Sequence, residues 1–82
     1  MEENRFEIVE STKKYKDSTA YSLQKCNIII GNKVVSTLTL ETELNVGKHS
    51  ETFFIKETDI FLRMVTLLSE KSGFPVYNSV KI

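Results

Sequence analysis

Few side chains in this 82-residue chain could do chemistry, and they are scattered. The single histidine, His49, follows Gly47 and Lys48 in a polar stretch. Its imidazole titrates near neutrality, as a general base must. No serine or cysteine nucleophile stands in a recognisable elbow, and Asp17 and Asp59 have no spacing that builds a triad. His49 therefore reads as a solvated loop residue. Cys26 is the only cysteine, set in a β-rich apolar run with Lys25 on the opposite strand face. It reads as a small packing residue, not an activated thiol. Glu41 and Glu43 share one strand face, as an acid/base pair would, but no further acid or histidine is near them. They read as a solvated edge.

Other chemistries fail on count or spacing. A phosphate loop needs two glycines five apart and then Lys followed by Ser or Thr; here Gly47-Lys48-His49-Ser50 lacks the first glycine and His49 interrupts. One His and one Cys cannot form the usual zinc site, and a lone Cys excludes an intramolecular disulfide. No catalytic residue, metal or cofactor is expected. The one basic cluster interleaved with an aromatic is Lys13-Lys14-Tyr15-Lys16, with Tyr21 beyond. Lysines there could contact phosphates while Tyr15 stacks on a base. Glu10 and Asp17 flank it, and 11 basic side chains balance 11 acidic ones. A solvated loop is the favoured reading; a nucleic-acid contact is the alternative.

The elements that must position these groups follow from periodicity. Arg5 to Glu10 alternates, with Phe6 and Ile8 on one side, and reads as a strand; Ser11 to Thr19 is polar and reads as a loop or hairpin tip. Tyr21 to Leu44 is two β-rich runs around Gly31-Asn32, a dipeptide suited to a tight hairpin. A two-residue loop would pair Ile30 with Lys33 and place Lys25 opposite Leu38. A three-residue loop slips the pairing by one and gathers Cys26, Ile28 and Ile30 with Val34, Leu38 and Leu40. The second register separates apolar from polar better and is favoured; it buries Cys26. Asn45 to Ser50 reads as a loop, and Glu51 to Lys56 narrowly as a short strand, the alternative being the start of the helix.

From Thr58 to about Ser72 the pattern is helical, with Thr58 as N-cap and Lys71 and Gly73 at the stop. Val76 to Ile82 alternates and reads as a last strand. The expected fold is a single α+β domain over 1–82: an antiparallel sheet of three to five strands with one helix on one face, in the order β-β-β-(β)-α-β. The last strand could pair either way.

The helix is the most informative element for partners. Ile60, Phe61, Leu62, Met64, Val65, Leu67 and Leu68 span an arc of roughly 220°, about twice what packing on one sheet requires. A single sheet covers one side, which leaves Phe61, Leu62 or Val65 without an obvious internal cover. Two readings compete: loops or a curved sheet wrap the helix, or a second copy or another protein covers it. The expected function is thus a non-enzymatic binding protein (a regulator, inhibitor or adaptor) acting through Phe61, Leu62 and Val65, as a homodimer. One alternative is a nucleic-acid module using Lys13, Lys14, Tyr15 and Lys16. Another is a ligand site or enzyme formed only across an oligomer interface, recruiting His49 and Glu41. No apolar run exceeds three residues, far from the ~20 that cross a bilayer, and the acidic, polar start lacks a signal-peptide pattern. The expected address is the cytoplasm, with no membrane partner.

Overall fold

A computed structural model describes residues 3–80. Its elements are β1 (Arg5–Lys16), β2 (Thr19–Ile30), β3 (Lys33–Asn45), α1 (Ser50–Ser72) and β4 (Val76–Asn78). They form one four-stranded sheet in the order β3-β2-β1-β4, with α1 packed on one face. The three long strands are antiparallel, while β4 runs parallel to β1 through Phe6↔Val76 and Ile8↔Asn78. The α+β expectation holds, with a mixed sheet in place of an antiparallel one. A helical crossover from β3 passes over β2 and β1, and a strand after such a crossover lies parallel to the one it left.

Both hairpins turn in two residues of positive φ: Asp17 (52°) and Ser18 (65°), then Gly31 (59°) and Asn32 (64°). These mirror-type turns match the right-handed twist of the flanking strands. The first extends β1 through Lys16, so Lys13–Lys16 belong to a strand and not to a loop.

The second hairpin combines the two registers. Ile30 pairs with Lys33 and Ile29 with Val34, as a two-residue loop requires; Ile28 then pairs with Ser36, and Cys26 with Leu38. Val35 is the extra residue of a bulge between them. The turn sets the pairing at the tip, the apolar pattern sets it beyond, and one bulge reconciles the two. Cys26 is fully buried, as expected; the Ile30–Val34 pairing does not form, and both side chains are exposed. A second bulge at Val9 moves β1 by one residue, so that Ile8 faces Cys26 while Ser11 faces Gln24.

The helix starts at Ser50, and residues 51–56 are its first turns, not a strand. Thr58 lies inside it, and the N-cap is His49, whose carbonyl accepts from Phe53 N at 3.0 Å. Phe53, Glu57, Phe61 and Val65 form its buried line, four residues apart. Packing of that line outweighs the β propensity of Thr52, Phe54 and Ile55. The stop is as read: Gly73 is left-handed (φ 78°), with its N–H on Ser69 O at 2.8 Å. The last strand is shorter than expected, and Ile82 lies outside the described residues.

Phe6, Ile8, Cys26, Phe61 and Val65 make the core, with Leu38, Leu40, Leu68, Phe74 and Val80 packed against it. The domain is elongated, 49 × 20 × 19 Å. Its radius of gyration is 14.3 Å, where a compact chain of this length has about 12 Å.

Candidate functional site

Strand alternation places Ser36, Leu38, Leu40, Thr42 and Leu44 of β3 on the helix side, opposite Ile28, Cys26, Gln24, Ser22 and Ala20 of β2. The helix, however, lies over β2, β1 and β4. It is held there in its first half by Gln24, a buried amide whose Nε2 donates to Glu57 O at 2.9 Å. The outer strand is therefore only partly roofed. Leu38 and Leu40 are half-buried and Leu44 is exposed.

The two flanks of α1 face different neighbours. Thr58, Phe61 and Leu62 border a cavity of about 210 Å³ with Ile8, Lys13 and Val80, so this flank looks toward β1 and β4. At 100° per residue, Ile60, Met64 and Leu67 project from the other flank, toward β3. Helix and strand are antiparallel along the chain, so both extend the same way from the loop at residues 46–49. With rises of about 1.5 and 3.3 Å per residue, Ile60 comes level with Leu40 and Met64 with Leu38. Met64 is 40% exposed and Leu67 51%. Together they make a continuous apolar strip: Leu40, Leu38, Ile60, Met64 and Leu67. Beside it, no strand among the described residues pairs the outer side of β3.

No protein family, curated protein or solved structure matches this chain. Any function must come from its own geometry.

That geometry redistributes the residues singled out in the sequence. Phe61 and Val65 are each 1% exposed and belong to the core, so the sheet gives them the cover that seemed missing. Leu62 is 43% exposed, on the β1 flank and away from the strip. The basic cluster is split by strand alternation. Lys13 faces the cavity under the helix, whereas Lys14 lies over the Tyr21 ring at 5.8 Å on the open face. The Tyr15 hydroxyl donates to Gly47 O. Lys14 and Lys16 share a hollow of about 340 Å³ on the open face with Tyr21, Asp17, Thr19 and Glu43, so Lys13 and Tyr15 are parted from the other two lysines, and two carboxylates sit beside those.

His49 and Glu41 have separate settings. His49 begins the helix, and Glu41 accepts from the Tyr21 hydroxyl at 3.0 Å on the open sheet face. That bond to a carboxylate, with desolvation and the nearby charge of Glu41, Glu10 and Glu43, raises the Tyr21 pKa above its ordinary value. Burial likewise raises the Cys26 thiol, partly offset by a backbone hydrogen bond from Glu7. A buried, protonated thiol is a poor nucleophile. Among the described residues, no group of three or more His, Cys, Asp or Glu could hold a metal ion, and no helix is long and apolar enough to cross a membrane. The cavity is smaller than the ~300–1,000 Å³ of typical ligand pockets.

Sequence reasoning missed the strip because its two halves lie twenty or more residues apart. The signal was present in part: Phe53, Glu57, Phe61 and Val65 recur every four residues, which marks the buried line and so the flanks beside it. Glu57 in that series hid it.

Proposed function

We propose that this chain is a non-enzymatic protein-interaction module, a small regulator, inhibitor or adaptor, that works as a homodimer. The observation that carries this is the apolar strip in which exposed Ile60, Met64 and Leu67 stand beside Leu38 and Leu40, which the chain's own elements cover only in part. Scattered exposed apolar residues are ordinary, whereas a contiguous apolar surface marks an interface.

Surface area supports the same reading. The chain exposes 5829 Å², where a compact monomer of this mass exposes about 5,000 Å². The excess goes with the elongated 49 × 20 × 19 Å shape, which leaves more surface for a partner than a compact fold would. Size-exclusion chromatography with light scattering tests the proposal. The expected mass is about 19 kDa, twice the 9.4 kDa chain. A 9.4 kDa monomer at micromolar concentration overturns it.

A further inference from the structure

Resting on the self-association proposed above, we infer that the second copy docks edge to edge: β3 of each protomer pairs antiparallel about a two-fold axis at Thr39, making one continuous eight-stranded sheet. Three features of β3 point there. It is a full-length edge, 13 residues from Lys33 to Asn45, with unpaired backbone groups along its outer side. Natural proteins defend such edges with lysine, proline, a covering element or a bulge. Here the only lysine is Lys33 at the start, proline is absent, and the bulge at Val35 leaves Ser36–Asn45 regular. Nor does α1 cover it.

The register follows from the side chains. An axis at Thr39, the midpoint of Lys33–Asn45, pairs the bulge-free run Ser36–Thr42 with its own copy. Pairing Thr39 with Thr39 sets Leu38 opposite Leu40 of the other copy on the helix side, and Thr37 opposite Glu41 on the open side. Moving the axis one residue to Leu40 matches Leu38 with Thr42, and moving it two sets Glu41 against Glu41. The Thr39 register alone joins the leucines without opposing like charges. It also makes the two apolar strips continuous: four leucines floor a shared trough walled by Ile60, Met64 and Leu67 of both helices.

Cysteine cross-linking tests this without disturbing the core. Across an antiparallel pair Cα atoms lie about 4.5–5.5 Å apart, within disulfide reach. Thr39 is exposed on the open face, and native Cys26 is buried and silent. Thr39→Cys, oxidised in air, is expected to shift from 9.4 kDa to about 19 kDa on a non-reducing gel. Thr37→Cys is expected not to shift, because its two copies would stand about 13 Å apart along the strand. If the wild type is a dimer but Thr39→Cys does not cross-link, or Thr37→Cys does, the edge pairing is wrong while self-association stands. If the wild type is a monomer, both fall.

Discussion

The two edges of the sheet are joined through the same helix and have opposite characters. At one edge β4 contributes three residues, follows directly on Pro75, and is tied to β1 by Phe6 N to Pro75 O and Ser79 N to Ile8 O, 2.9 and 2.8 Å. It offers almost no template for another strand. At the other edge β3 runs 13 residues with its outer side free. The helix lies over β2 and β1 and reaches β4, and Phe61 and Val65 close the core beneath it. A domain of 82 residues has one helix to spend on a sheet some 20 Å wide. Where the helix settles decides which edge is finished within the chain and which is left for a partner.

The finished side should be the more sensitive to substitution. Phe61→Ala removes a ring that is 1% exposed, and such a deletion costs about 3–5 kcal/mol. Since a chain of this size has roughly 4–12 kcal/mol in total, urea unfolding is expected to show a domain at the limit of stability. A loss under 1 kcal/mol would mean that the core does not centre on this residue.

The open side should respond in the opposite sense. Met64→Glu is expected to leave the urea midpoint of the isolated fold nearly unchanged. It should weaken dimerisation by about 2 kcal/mol, roughly thirty-fold in Kd, read by light scattering across a dilution series. Leu62→Glu, on the flank toward β1, is expected to leave the dimer intact. If Leu62→Glu dissociates it and Met64→Glu does not, the flanks have been assigned the wrong way round.

Two smaller effects probe the local geometry. Gly73→Ala meets no atom within 4 Å of the new Cβ, so its cost, about 1 kcal/mol, is purely that of the left-handed backbone. Ser18→Gly goes the other way. Ser18 holds φ 65° without being glycine, and its carbonyl receives Val46 N at 2.8 Å and Gly47 N at 3.2 Å. Relieving its backbone is expected to add about 0.5–1 kcal/mol, seen as a higher melting temperature.

Burial raises the Cys26 pKa in the folded state above the ordinary value of 9.0. Its contribution is therefore complete below pH 9 and is lost as pH climbs toward the folded value, because only the unfolded chain gains a thiolate early. Alkylation of Cys26 at pH 8 is expected to proceed only through unfolding. Fast labelling of the native protein would contradict its place in the core.

How much of this was legible beforehand can be judged from three places. Gly31-Asn32, Gly73 and the alternation of Phe6 and Ile8 were readable, because turn chemistry, helix stops and strand faces are local effects written in neighbouring residues. The stretch 51–56 was ambiguous on local grounds. Thr52, Phe53, Phe54 and Ile55 suit a strand, and only the sheet beneath Phe53 extends the helix to Ser50. The candidate interface was half legible: an over-wide apolar helix demanded cover, but which residues stayed open could not be told from the wheel.

The amino-acid sequence by itself determined the α+β class, the hairpin at Gly31-Asn32, the burial of Cys26 and the end of the helix. Each depends on residues close together or on a strict period. Only the tertiary structure decided the rest. It put a bulge at Val35 so that a two-residue turn and a leucine-matched register could coexist, it sent Lys13 and Lys14 to opposite faces, and it set the helix over β1 and β2. That placement buried Phe61 and Val65 and left Met64 and Leu67 beside Leu38 and Leu40. A helix with apolar residues on both flanks fits a sheet in more than one way, and the choice depends on packing between segments that are distant in the chain.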